Sequence, residues 1–99
     1  MDDREFETLA SATLARLAER LETALDDADV EFREGILTVE LADGRQYVLN
    51  KHGPNRELWL SSPVSGAHHF AASGDAWRST RGPETLAGLL ADELGVAFD

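Results

Sequence analysis

The first candidate for chemistry in this chain is a group of carboxylates in its first third. Six acids fall within thirteen residues, and we call them the acidic ridge: Glu19, Glu22, Asp26, Asp27, Asp29 and Glu31. On a helix, Glu19, Glu22 and Asp26 lie at i, i+3 and i+7 and form one stripe. Carboxylate oxygens suit hard cations such as iron, manganese and calcium. Because an open surface offers no preformed cage, we expect weak and poorly selective cation binding.

A solvated helix face that keeps the protein soluble would give the same pattern, so two interpretations of the ridge stay open. Like charges at helical spacing destabilise a fold by a few tenths of a kcal/mol per pair. A bound cation would relieve this repulsion. The metal interpretation therefore predicts that cations or salt raise the melting temperature.

A tryptophan on a polar strand face is the second candidate. Residues 57–61 alternate between polar and apolar, which puts Leu58 and Leu60 on one face of a strand and Trp59 on the other. A large aromatic beside hydrogen-bonding side chains has the composition of an interface hot spot. Strand alternation places Asn50 and His52 on the same surface, and His69 as well if Phe70 faces inward. We predict that these four residues, Asn50, His52, Trp59 and His69, bind a protein partner; the alternative is an aromatic that only covers the sheet.

Other kinds of chemistry find little support. The chain has no cysteine, which excludes disulfides, thiolate metal sites and a cysteine nucleophile. His68 and His69 are adjacent on a predicted strand and point to opposite faces, so they do not form a metal pair. No serine has a histidine and an acid at spacing that suggests a nucleophile, and glycine-rich phosphate loops are absent.

Size and charge limit the function classes further. Ninety-nine residues with 42% hydrophobic content fit one domain, residues 1–99. No apolar run approaches the ~20 residues of a membrane span. The N-terminus lacks the features of a signal peptide, so we expect a soluble cytoplasmic protein, or a mature organellar one after removal of its presequence.

The net charge is −10, concentrated in residues 1–43 (thirteen acids, four arginines). Without a basic stripe, nucleic acid is a poor partner.

Two helices and a strand meander must position these candidates. Apolar residues at three- and four-residue spacing predict an amphipathic helix over residues 3–25. Short alternating segments follow, with a hairpin signal at Asp43-Gly44, inward-facing Tyr47 and Leu49, and Trp77 at the edge of the core.

The last element is predicted to be a second helix. We expect Pro83 and Glu84 in its first turn and Gly95 just past its end. Gly88 inside this helix suggests close packing against the first helix. Together the elements predict an α+β fold: a two-layer α–β sandwich in which the N- and C-terminal helices pack on one face of an antiparallel sheet of five to six strands.

The sequence resembles the frataxin family, called CyaY in bacteria, over nearly the whole chain, and more closely its mitochondrial and alphaproteobacterial branch. The similarity is carried by residues 35–39, 47–51, 54–55, 58–63, 65–66, 74–77, 86–90 and 93–94. It implies the same frataxin-like α–β–α order. It also implies weak iron binding (Fe²⁺ or Fe³⁺) on the acidic ridge and docking onto the cysteine desulfurase and its iron–sulfur scaffold protein.

The resemblance leaves the exact role open. An iron donor or a regulator of the desulfurase, acting as a monomer, is the leading interpretation. A ferroxidase or iron-storage protein that oligomerises with iron, and an acidic interaction module without a physiological metal, are the alternatives. The chain also departs from the family pattern: Ala18, Thr23 and Leu25 thin the ridge, and His52, His68 and His69 replace other residue types.

Overall fold

The computed structural model describes residues 1–98, and these fold as helix, six-stranded meander and helix. The elements are α1 (Asp3–Ala24), β1 (Asp29–Arg33), β2 (Ile36–Glu40), β3 (Gln46–His52), β4 (Glu57–Ser62), β5 (Gly66–Ser73), β6 (Ala76–Ser79) and α2 (Leu86–Leu94). Each strand pairs antiparallel with the next, in the order β1-β2-β3-β4-β5-β6. Both helices pack on the sheet, so the predicted two-layer sandwich is confirmed. Within the described chain no helix is long and apolar enough to cross a membrane.

The first helix starts at a capping box. The Asp2 carboxylate accepts from the Glu5 backbone N–H at 2.8 Å, and the Glu5 carboxylate accepts from the Asp2 N–H at 3.1 Å. Two otherwise unpaired groups at the helix start are thereby satisfied. Its buried face is Phe6, Ala10, Thr13, Leu14, Leu17 and Leu21.

The sheet places alternate residues in the core, as the sequence pattern predicted. Tyr47 and Leu49 are both 2% exposed, and Leu58 and Phe70 are completely buried. Gly44 adopts φ 91° in the β2–β3 hairpin, a conformation that glycine reaches without strain. Trp77 closes the core: its indole N–H donates to Thr13 Oγ1 at 3.0 Å, which confirms its assignment to the core.

The start of the second helix was predicted wrongly. Pro83 and Glu84 precede α2, whose N-cap is Thr85; the Thr85 hydroxyl accepts from the Gly88 N–H at 3.0 Å. The preceding segment pairs with β6 instead, because the Ser79 N–H donates to the Glu84 carbonyl. The reason offered for Gly88 was also wrong. A Cβ there would lie 2.9 Å from Thr85 Oγ1, so the glycine makes room for the cap and not for α1. Gly95 ends the helix at φ 69°, as predicted.

A carboxylate that the sequence did not single out ties α2 to the sheet. One oxygen of Glu93 accepts from the Tyr47 hydroxyl at 2.8 Å and from Ser62 Oγ at 2.6 Å, and the other accepts from Ser65 Oγ at 2.5 Å. Burial raises the pKa of Glu93, but the hydroxyl donors together outweigh it and leave the pKa below its ordinary value. Burial, followed by the hydrogen bond to Glu93, raises the pKa of Tyr47 to about 12.

Candidate functional site: an acidic ridge and an aromatic sheet face

The acidic ridge follows the end of α1 and the edge strand β1. All six of its carboxylates are exposed. Glu19 and Glu22 lie on the last turns of α1, Asp26 and Asp27 in the loop, and Asp29 and Glu31 on β1. The structure therefore brings the predicted residues to one continuous edge of the molecule.

The electrostatics of this edge are unfavourable without a cation. The C-terminal end of a helix carries partial negative charge, which a basic side chain would offset. The last turn of α1 contains no basic residue. Arg20 is directed toward the C-terminal segment, where its Nε donates to the Ala97 carbonyl at 2.9 Å, and within residues 1–98 it forms no ion pair with a ridge carboxylate. Glu31 has one cationic neighbour, Arg33, at 3.5 Å, and both side chains are largely exposed, so this pair contributes little.

The strand register adds an acid that sequence reasoning missed. Glu40 on β2 lies directly opposite Asp29 on β1. Side chains of directly opposed residues are neighbours, and like charges there destabilise the pair. The Asp43-Gly44 hairpin signal alone does not show that Glu40 faces Asp29. That contact follows only when the pairing register of β1 and β2 is known as well. Glu40 therefore adds to the negative charge of this edge, although it is not a member of the ridge.

The ridge is a charged surface and not a closed metal site. In residues 1–98 no three Asp, Glu or His side chains converge as metal ligands do. The donors on the ridge are all carboxylate oxygens, which fit hard cations including iron. With no cage, ions would keep most of their water and bind weakly.

The four predicted docking residues come together on the sheet face opposite the helices. Asn50 lies directly across from Trp59, and Trp59 directly across from His69. Phe70 is fully buried, so His69 points outward, as predicted. Ile36, which the sequence analysis did not assign to this surface, lies opposite Asn50 and is 45% exposed. We call these five residues, Ile36, Asn50, His52, Trp59 and His69, the docking row.

Trp59 is sandwiched between two histidines. The His52 ring stacks on the indole at a centroid distance of 3.6 Å and an interplanar angle of 11°. The His69 ring stacks on the other face at 4.2 Å and 6°. Glu57, whose role the sequence did not reveal, accepts from the indole N–H at 2.9 Å and lies 3.7 Å from His69 Nδ1. The indole orientation is therefore fixed on both faces and at its polar edge.

His68 lies on the opposite side of the sheet from His69, as the alternation predicted. Its Nε2 is 2.8 Å from Ser65 Oγ, which also donates to Glu93. Here the serine bridges the imidazole and the carboxylate, whereas a nucleophilic triad needs the imidazole between them. This cluster therefore holds α2 in place and gives no catalytic arrangement.

Comparisons with known proteins agree with this architecture. The sequence model of the frataxin-like domain family matches residues 1–99. The mitochondrial frataxin homolog of Schizosaccharomyces pombe is 36% identical over 105 residues, which cover 99% of this chain and 66% of that protein. The chain thus spans just under two thirds of that relative's length.

Two solved structures are similar throughout. Frataxin from Psychromonas ingrahamii superimposes with a TM-score of 0.82 at 22% identity, covering 100% of this chain and 97% of that one, and shows the shared fold. Trimeric frataxin from the yeast Saccharomyces cerevisiae, complexed with ferrous iron, gives a TM-score of 0.72 at 32% identity, covering 96% of this chain and 84% of that one.

Proposed function

The chain belongs to the frataxin family, and from this premise we propose that it is an iron-binding accessory protein of iron–sulfur cluster assembly. It binds iron weakly on the acidic ridge and docks through the docking row onto the cysteine desulfurase–scaffold complex. It acts there as an iron donor or as a regulator. The site of action is the cytoplasm of a bacterium, or the mitochondrial matrix for a processed eukaryotic protein.

The observation that carries the proposal is that the β1 end of the ridge, Asp29 and Glu31, lies on the same sheet face as the docking row. Asp29 and Glu31 alternate with Val30, and strand pairing puts them on the same face as Arg33. Arg33 lies opposite Ile36, the first member of the docking row. One partner surface can therefore contact the ridge and the row together. The ridge also attracts arginine-rich patches of a partner.

Iron is supported by the donor chemistry of the ridge and by the ferrous complex of the yeast relative. The carboxylates do not discriminate strongly among hard cations, so calcium and manganese also bind in vitro.

The test is sulfide and cluster production by the reconstituted desulfurase–scaffold machinery, with and without iron. Three proteins are compared with wild type. The first is Trp59→Ala, and the second is the ridge variant Glu19→Gln/Glu22→Gln/Asp26→Asn. The third is a control with the same charge change at exposed acids elsewhere, Asp75→Asn/Glu84→Gln/Asp92→Asn. We expect Trp59→Ala to lose the effect on turnover and the ridge variant to lose only its dependence on iron. A ridge variant indistinguishable from the control would remove iron from the proposal.

A ferroxidase or storage role is the second candidate, because the yeast relative is a trimer complexed with ferrous iron. Oxygen consumption and particle size are measured after addition of ferrous iron. Catalysed consumption with growth of the particle, absent in the ridge variant, favours this role over the accessory one.

A further inference from the structure

We propose that His52 and His69 hold opposite tautomers, so that the exposed edge of Trp59 is flanked by an N–H donor on one side and a nitrogen acceptor on the other. Glu57 sets the tautomer of His69, and the burial of Nδ1 sets that of His52. The inference deepens the docking role proposed above and rests on it for its partner, but the tautomers themselves are a property of the isolated protein.

Both faces of the Trp59 indole are covered. The two imidazoles stack on it within 3.6 and 4.2 Å and nearly parallel. A partner therefore meets ring edges and not an open indole face. The indole N–H already donates to Glu57. The hydrogen-bonding groups that remain for a partner are therefore the ring nitrogens of the two histidines.

The environment of His52 favours a proton on Nε2. Its Nδ1 is buried without a hydrogen-bond partner, alone in this respect among side-chain atoms of residues 1–98. A buried N–H without an acceptor is the rarer and more costly defect, whereas a buried acceptor without a donor is tolerated more often. Neutral His52 therefore leaves Nδ1 unprotonated and carries its N–H on Nε2, on the accessible side of the ring.

The environment of His69 favours the opposite arrangement. Its Nδ1 lies 3.7 Å from the same Glu57 oxygen that accepts from Trp59. That distance is too long for a hydrogen bond, but an N–H directed at a carboxylate is attracted to it, and a lone pair is repelled. Neutral His69 therefore carries its proton on Nδ1 and leaves Nε2 as an acceptor. Its side chain is 38% exposed.

This polarity specifies the chemistry of the partner. The two imidazoles stand roughly 8 Å apart across the indole, a span that about two residues of extended chain cover. The occupant is an extended polypeptide segment that places a carbonyl oxygen against His52 and an N–H or O–H donor against His69. A segment with two acceptors, or two donors, leaves one desolvated group unpaired and is rejected.

The tautomers are measured on the isolated protein. Long-range ¹⁵N–¹H NMR at pH 8, where ordinary histidines are neutral, reports which ring nitrogen carries the proton. Signals are assigned with His52→Gln, His68→Gln and His69→Gln. We expect Nε2–H for His52 and Nδ1–H for His69. Glu57→Gln should move His69 toward Nε2–H and leave His52 unchanged. The same tautomer in both histidines, or a His69 tautomer indifferent to Glu57→Gln, overturns the proposal.

The consequence for docking is measured with the desulfurase–scaffold complex as the probe. His52→Phe and His69→Phe keep an aromatic ring in the stack but lose the hydrogen bond, and we expect each to weaken binding about threefold to tenfold. His52→Gln and His69→Gln keep a polar atom near the Nε2 position and should bind within about twofold of wild type.

The outcomes separate the two levels of the argument. Phe variants that bind like wild type overturn the polarity of the surface, even where the tautomers are as proposed. Undiminished binding by Trp59→Ala instead contradicts the docking function itself, while the NMR result stands independently.

Discussion

Glu93→Gln is the substitution that tests most directly what holds α2 on the sheet. The carboxylate accepts three hydroxyl hydrogen bonds, from Tyr47, Ser62 and Ser65, at 2.5–2.8 Å. The amide keeps one oxygen and turns its NH₂ toward a hydroxyl donor. Hydrogen bonds to a charged group contribute about 1.5–3 kcal/mol against about 1 kcal/mol for neutral ones. Since the group is only partly buried, we expect a loss of about 2–3 kcal/mol in the free energy of unfolding.

For a domain of this size, that loss corresponds to a fall in melting temperature of about 10–20 °C. Urea denaturation followed by circular dichroism gives the free energy. The matched control is Asp92→Asn, which makes the same charge change at the neighbouring exposed position of α2. If the two variants agree within about 0.5 kcal/mol, which is the ordinary range for surface substitutions, the network does not anchor α2 and the reasoning fails.

The same network also predicts in which direction the free energy of unfolding changes with pH. The folded-state pKa of Glu93 lies below its ordinary value of 4.5, so its contribution is present above that value and lost as the pH falls through the folded pKa. The Tyr47 pKa is raised from 10.0 to about 12, so its contribution is complete below pH 10 and lost between pH 10 and 12. Glu93→Gln should flatten the acid limb, and Tyr47→Phe the alkaline limb, of the plot of stability against pH.

Three further predictions concern the ridge, the docking row and the second helix. Calcium or ferrous iron at about 100 times its dissociation constant should raise the free energy of unfolding by about 2.7 kcal/mol in wild type and not in the ridge variant. A melting temperature that does not change when metal or salt is added argues against cation binding. Trp59→Ala should abolish capture of the desulfurase–scaffold complex and leave the far-ultraviolet circular dichroism spectrum unchanged, because the ring lies on the sheet face away from the core. Loss of the folded spectrum would show that Trp59 is needed for the fold. Gly88→Ala should stabilise by about 1 kcal/mol in a Thr85→Ala background and by clearly less in wild type, where the new Cβ meets Thr85 Oγ1 at 2.9 Å; equal effects in the two backgrounds contradict the cap as the reason for this glycine.

Alternation along the strands is why the sequence alone predicted which residues share the sheet face of Trp59. A period of two fixes the face of Trp59 once Leu58 and Leu60 are inside, and the same argument places His69. The sequence analysis did not identify Glu40 and Glu57, because their roles depend on strand register and on side-chain direction. No local sequence pattern encodes either of these. The start of α2 was missed for a related reason. Proline and glutamate are common in a first helical turn, but pairing of the preceding segment with β6 delays the helix to the Thr85 cap.

The distance between ridge and indole decides how metal and partner can influence each other. Trp59 is on β4 and the ridge ends on β1, three strand spacings away, or about 14 Å. That exceeds the Debye length of about 8 Å at physiological ionic strength. A cation on the exposed ridge therefore changes the potential at the stack very little. Coupling between iron and docking then requires a partner that touches both surfaces, because a ligand shifts another's affinity only through differential contacts. Iron should accordingly bind the isolated Trp59→Ala protein as it binds wild type, and the ridge variant should still dock, but without any dependence on iron.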